Sequence, residues 1–311
     1  MKMGVLCPTA ENNWRVAMKI TNLLKEKKFS LSFEIFPPKT DAAYDSVKYA
    51  SEEIAKLNPS FMSVTYGAGG GTSKYTLEMA KNISDTYNVP SIAHLTCVSS
   101  TEQTVHTMIN RFKDAGIENI MALRGDIPPE MMNSDRSGWH FRHATDLIYE
   151  IKKISSDFCI GGACYPEVHP ESADSRDDIL HLKEKAEAGC EFFTTQMFFD
   201  NNLLYRFLYK IREAGITVPV IAGIMPITRA NQVERAIKLS GSFMPQRFKS
   251  LIDKFGAYPD AMKQAGIAYA TDQIIDLYAN GITHVHVYSM NKPDVAAQIK
   301  NNLSDILGKD A

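Results

Sequence analysis

Short runs rich in β-branched and aromatic residues alternate along this chain with longer stretches whose apolar residues recur at helical spacing. The short runs fall at Ser30 to Phe36, Phe61 to Gly67, Ser91 to Cys97, Ile120 to Asp126, Cys159 to Tyr165, Phe192 to Phe198, Pro219 to Met225 and His284 to Tyr288. Each has the length and composition of a strand. Between them the pattern predicts helices at Ala42 to Leu57, Ser73 to Tyr87, Glu102 to Ala115, Ala144 to Ile154 and Asp177 to Ala188. Gly116, Gly189 and Gly215 stand where helices should stop, since glycine readily takes the left-handed conformation of a helix end. Successive strands mostly lie roughly 30 residues apart, the repeat of a parallel β/α unit.

Eight such units in series are expected to close as a (β/α)₈ TIM barrel, an α/β fold in which 1–311 form a single catalytic domain. An open doubly wound sheet would be favoured by a GxGxxG turn after the first strand, and here that turn reads PPKTDAAY. Extra helices are expected at the N-terminus, over Trp14 to Lys27, and between the last two strands. The loop from Ile127 to Phe141 is long, and the 58 residues from 226 to 283 should hold two helices, Gln246 to Phe255 and Asp260 to Tyr278.

Hydrophobic residues make up 44% and charged residues 23%, so a large core is available and disorder is not indicated. Basic and acidic residues number 34 and 36, leaving a net charge of -2. No global field favours nucleic acid or an anionic membrane, and any anionic ligand must be held by local groups. The five cysteines are an odd number without CxxC spacing, which argues against a disulfide framework or a structural zinc site. With no signal-like N-terminal segment and no apolar run near the roughly 20 residues of a spanning helix, a cytoplasmic protein is expected.

Strands enclosed on both faces should be apolar, so polar residues at their carboxyl ends are candidates for function. Here they are Glu34, Thr65, His94, Arg124 with Asp126, Tyr165, Gln196, and Tyr288 near Asn291. A purely structural barrel would carry Val, Ile and Leu there. Glu34, between Phe33 and Ile35 and before two prolines, should be partly desolvated, which favours the proton-holding form a general acid needs. Pairing with a basic residue of a neighbouring strand is the alternative. Arg124 and Asp126 could form a mutual or layered ion pair closing the barrel, or serve a ligand that approaches the backbone at Gly125. The segment YGAGGGTSKY could cradle an anion at the following helix, or be a tight turn. His284 and His286 face the same way on one strand without carboxylates or cysteines nearby in sequence, so no metal is expected. Met121, Met131 and Met132 read as gap-filling apolar residues. The helical spacing of LLYRFLY suggests a helix packed on the barrel or a contact between subunits of a homo-oligomer.

Seven segments in order, FEIFPPK, SVTYGAGGGTS, AHLTC, NIMALRGDIP, CYPEVHPE, TTQMFFDN and AGIMPI, closely resemble the methylenetetrahydrofolate reductase family. The resemblance spans about residues 25 to 305. No one segment is distinctive, but seven in register are. It implies FAD at the barrel mouth, reduction by NADH or NADPH, and then conversion of 5,10-methylenetetrahydrofolate to 5-methyltetrahydrofolate by a ping-pong mechanism in one-carbon and methionine metabolism.

By position, Glu34 matches the family's proton donor and Asp126 a carboxylate beside flavin and pterin. Gln196 and Gln232 match folate contacts, and Lys292 a position for the folate tail. Thr65 matches the nicotinamide contact. The flavin positions are Tyr66, Ala68, His94, Arg124, Gly125, Asp126, Ala144, Tyr165, His169, Asp178, His181 and Lys185. Three positions depart from the family pattern: Ser73 and Lys292 stand where Arg is common, and Glu184 replaces a base. No additional regulatory domain, and so no control by an S-adenosyl ligand, is expected. A flavin-free pterin-binding barrel and a catalytically silent scaffold are the rival readings, which flavin absorbance separates from a reductase.

Overall fold

The computed structural model describes residues 18–67, 73–127, 131, 135 and 138–308. Eight parallel strands, β1 (Ser30–Ile35), β2 (Met62–Val64), β3 (Ser91–Thr96), β4 (Asn119–Leu123), β5 (Cys159–Cys164), β6 (Phe192–Thr195), β7 (Val220–Ile224) and β8 (His284–Tyr288), form a closed barrel in sequence order. β8 pairs back onto β1, so the expected (β/α)₈ barrel is present. Ahead of it lies α1 (Ile20–Glu26); α2 (Tyr44–Ala55), α3 (Ser73–Tyr87), α4 (Glu102–Asp114), α5 (Ala144–Ile154), α6 (Ser175–Glu187) and α7 (Asn201–Glu213) follow the first six strands. Three helices, α8 (Asn231–Ser240), α9 (Gln246–Phe255) and α10 (Pro259–Ala279), separate β7 from β8, and α11 (Pro293–Asn302) and α12 (Ser304–Leu307) come last.

Alternation along the strands sorts the core into two layers. Leu31, Phe33 and Ile35 of β1 face the helices with Val64, Leu95 and Val287, while the other set points into the barrel. At the amino end the interior is filled by Phe61, Ile92, Met121, Cys159, Phe192 and Ile221, against which α1 lays Ile20, Leu23 and Leu24. The Asn119 carboxamide ties this plug in place: its oxygen accepts from the Ile20 amide at 2.9 Å and its nitrogen donates to the Ser91 carbonyl at 3.1 Å. The N-terminal helix therefore closes the end of the barrel opposite the candidate residues.

Two expectations need correction. The stretch between β7 and β8 holds three helices rather than two; α8 is short, and its stop signal is Gly241 at φ 68°. Several strands also end before their apolar runs do. Leu123 ends β4 because the Arg124 carbonyl leaves the regular ladder to accept from both the Cys97 and Val98 amides, after which Gly125 turns at φ +90°. A Cβ at Gly125 would meet Val98 and Thr96 side chains at 2.9–3.2 Å, so local packing, besides any ligand, requires glycine there. Thr65, Arg124 to Asp126 and Gln196 thus lie on mouth loops, not on strands.

The LLYRFLY segment is α7, with Leu204, Phe207 and Ile211 buried on the barrel and Tyr209 exposed. Cys97, Cys159, Cys164 and Cys190 are free thiols, all buried. Among the described residues no helix is long and apolar enough to cross a membrane.

Candidate active site

At the carboxyl end of the barrel lies a cavity of about 970 Å³. Glu34, Thr65, Tyr66, His94, Arg124, Gly125, Asp126, Ala144, Tyr165, His169, Asp178, His181, Lys185, Gln196 and Gln232 all line it, so residues 198 positions apart in sequence share one chamber. Ala68 falls outside the described residues, as does most of the glycine loop. Lys292 does not line the chamber. Its Nζ donates to Thr228 Oγ1 at 2.7 Å behind the loop that leads into α8. None of the described residues between Met131 and Arg142 lines it either.

The chamber's floor follows from the register of β1 against β8. Ser30, Ser32 and Glu34 sit opposite His284, His286 and Tyr288, which sets a polar ladder on the inner face. Ser32 Oγ donates to the Val285 carbonyl at 3.0 Å and lies 2.8 Å from His286 Nδ1. The other ring nitrogen, Nε2, is 2.9 Å from Ser63 Oγ, which donates to Glu34 Oε2 at 3.2 Å. Phe61 stacks on the His286 ring, with centroids 5.5 Å apart, and so fixes its plane. Glu34 is 6% exposed. His94 Nε2 lies 3.5 Å from the same Glu34 oxygen, without hydrogen-bond geometry, and is a buried polar atom with no partner. Burial pushes the His94 pKa down, which keeps that ring neutral against the opposing pull of Glu34.

The walls carry a second set of polar groups. Arg124 is gripped bidentately by Glu171, at 2.5 and 2.8 Å, and its Nε donates to the Gly125 carbonyl. Of the two readings left open above, a mutual pair with Asp126 is thus not what the structure holds. Asp126 is exposed on the rim; the Glu171 hydrogen bond is the main cause that raises the Arg124 pKa, and the charge of Asp126 adds to it and to the raised pKa of Tyr165. Burial is the larger cause for Tyr165, whose hydroxyl also meets Gln196. Gln196 Oε1 accepts from the Met197 amide at 2.9 Å. Gln232 spends its oxygen on its own loop, accepting from the Thr228 and Arg229 amides, each at 2.9 Å.

Lys185 donates to the Ala163 carbonyl at 2.6 Å, and burial lowers its pKa. His169 packs edge-on against Tyr165, and its Nδ1 accepts from the Glu171 amide at 3.1 Å. Asp178 accepts from Ser172 at 3.2 Å, and His181 meets Glu184 at 3.0 Å. Ser73 and Glu184, two of the departures noted above, are therefore built in: Ser73 bonds the Tyr66 hydroxyl, and Glu184 holds His181.

A family model described as methylenetetrahydrofolate reductase matches residues 19–304. The chain belongs to this family. The 5,10-methylenetetrahydrofolate reductase of Escherichia coli is 33% identical over 276 residues, 89% of this chain and 91% of that protein. In Arabidopsis thaliana, methylenetetrahydrofolate reductase (NADH) 1 is 30% identical over 93% of this chain but only 50% of its own length. Among solved structures, an uncharacterized Clostridium thermocellum protein described as binding two copies of 5-methyl-5,6,7,8-tetrahydrofolic acid superposes with a TM-score of 0.63. It shares 16% identity over 93% of this chain and 99% of that one, a likeness of fold. The relationship supports methylenetetrahydrofolate reduction as the reaction of this family member.

Lys39, His143, Glu171 and Arg235 also line the cavity without having been singled out from the sequence, and so does His286, read there as a packing residue of the core or mouth. His286 had a signal, the alternation HVHVY in a strand that should be uniformly apolar. Its partners Ser32 and Ser63 had none, because only strand register brings them to the ring.

Proposed function

We propose that this chain reduces 5,10-methylenetetrahydrofolate to 5-methyltetrahydrofolate, with FAD in the barrel mouth and NADH or NADPH as the donor in a ping-pong sequence. The observation that carries the reading is the buried Glu34 carboxyl on the floor of the large polar cavity, backed by Ser63 and His286. About 970 Å³ is at the upper end of the roughly 300–1,000 Å³ of ligand cavities, as a dinucleotide sharing its site with a second ring system requires. The lining fits a flavin dinucleotide. Arg124 and Lys185 supply positive charge for a pyrophosphate, Tyr66 and Tyr165 offer ring faces, and His94 Nε2 is a buried polar atom waiting for a partner.

Bound there, the flavin supplies the hydride chemistry between nicotinamide and folate. Glu34 gives its proton to the folate nitrogen that departs as the five-membered ring opens. The hydrogen-bonded groups behind Glu34 offer a route by which that proton is replaced. Ser32 Oγ lies within hydrogen-bond reach of both the Val285 carbonyl and His286 Nδ1, and Ser63 Oγ of both His286 Nε2 and Glu34 Oε2, so these groups form one continuous chain behind the carboxyl. If Ser63 turns its proton to Nε2, the carboxyl of Glu34 becomes the donor instead. A proton relayed along this chain through Ser63 would reload the acid. Asp126 at the rim places fixed negative charge where the folate cation develops, and Gln196 offers its amide nitrogen to the pterin. The product belongs to one-carbon metabolism in the cytoplasm, as a methyl source for methionine.

Protein purified without added flavin, and again after reconstitution with FAD, provides the test. Stoichiometric FAD, bleached by a reduced nicotinamide and restored by methylenetetrahydrofolate, is expected. A preparation that takes up no flavin and shows no change in melting temperature with FAD would remove the reading.

A further inference from the structure

Away from the mouth, a second group of ionisable side chains converges between α4 and α5. Glu102 and His106 are four residues apart on α4 and so share a face, and Glu150 on α5 points at the same ring nitrogen. His106 Nε2 is 2.5 Å from Glu150 Oε1 and 3.6 Å from Glu102 Oε1. A fourth group arrives from the long β4–α5 loop: His140 Nε2 is 3.9 Å from the other Glu102 oxygen. Glu150 is largely buried, its side chain 12% exposed.

Ion pairing accounts for only part of this arrangement. One ring nitrogen carries at most one proton, so His106 Nε2 can bond Glu150 or Glu102 but not both. Contacts of 3.6 and 3.9 Å lie beyond hydrogen-bond reach, so Glu102 stands between two imidazoles without bonding to either. Ligands at about 2.0–2.2 Å around a tetrahedral ion lie roughly 3.3 Å from one another; one atom each of Glu102, His106 and Glu150 already lies within 4.8 Å of the others, and His140 approaches this group through Glu102. We propose that Glu102, His106 and Glu150, completed by His140, bind one divalent transition-metal ion of the zinc type.

Two imidazoles with two carboxylates are the donor set for zinc rather than for magnesium or calcium, whose ligands are oxygen alone. Lys153, which lies 3.1 Å from Glu150, is 68% exposed at its side chain and free to swing into solvent when the cation takes its place. His140 packs edge-on against Phe141, and Phe141 is buried, so an ion held by His140 fastens the end of the long β4–α5 loop to α4 and α5. That loop begins beside Asp126. The site is therefore structural, and it stands apart from the folate chemistry proposed above.

The test is titration of the untagged full-length protein with zinc chloride against a chromogenic chelator, with magnesium as control. The comparison is between wild type, His106→Gln and His140→Gln. One saturable zinc per chain is expected, with affinity lowered at least about tenfold in each variant and a melting temperature that zinc raises by a few degrees in wild type only. Absence of a saturable site in the wild type, or unchanged zinc affinity in either variant, overturns the proposal. His140 is an exposed loop residue, so His140→Gln keeps the test decisive if His106→Gln folds poorly.

Discussion

On the proposed function, Glu34 sits where two half-reactions can be told apart. Transfer of hydride from nicotinamide to flavin needs no proton from the floor of the cavity, whereas opening of the folate ring does. Glu34→Gln removes the proton and keeps the shape, so FAD binding and flavin bleaching by the reduced nicotinamide should persist, while reoxidation by methylenetetrahydrofolate should slow on the order of a thousandfold. Single-turnover measurements of both steps on one preparation check this, and equal slowing of the two would take the role of acid away from Glu34. The candidate was legible in the sequence because a carboxylate amid FEIFPP stands out in a strand expected to be apolar, with pairing to a basic residue as its structural alternative. Its support was not. Ser63 and His286 are 29 and 252 positions from Glu34, and only the pairing of β1 with both β2 and β8 brings them to its carboxylate. Arg124 teaches the same lesson, since its partner proved to be Glu171, 47 residues on, rather than its sequence neighbour Asp126.

Among the elements, α10 is the one most constrained by shape. This helix of 21 residues packs Gly266 against the loop after β7, where an added Cβ would come within 1.8 Å of the Ile227 carbonyl oxygen. A backbone atom has little room to give way. Gly266→Ala should therefore cost roughly 2–4 kcal/mol of stability although alanine is the better helix former, and denaturant unfolding of the two proteins measures it. A neutral or stabilising result would mean that α10 can shift away from the barrel. Apolar spacing sufficed to foresee α9 and α10 nearly to the residue. It failed for α8, ten residues long, whose inner face gives Gln232, Arg235 and Ala236 to the cavity, so that its apolar stripe is interrupted by groups serving the site.

For the molecule as a whole, closing the barrel buries imidazoles, and their titration should appear in its stability. Burial lowers the pKa of His94, His169 and His284 below the value these groups have in the unfolded chain. The unfolded state then binds more protons below about pH 6.5, so the stability is fully present above that pH and is lost as pH falls. Melting temperature should drop from pH 7 to pH 5.5, and less steeply in His94→Asn, which cannot titrate there; parallel slopes would exclude His94 as a contributor. By itself the sequence determined the number, order and type of nearly all the elements and the set of polar residues at the strand ends, because backbone periodicity is local and reads directly as a pattern. Tertiary structure alone decided which of those polar groups meet. Strand register, the early ends of β4 and β6, and closure of β8 onto β1 set distances between residues far apart in the chain, and hydrogen bonds and ion pairs depend on those distances rather than on sequence neighbours.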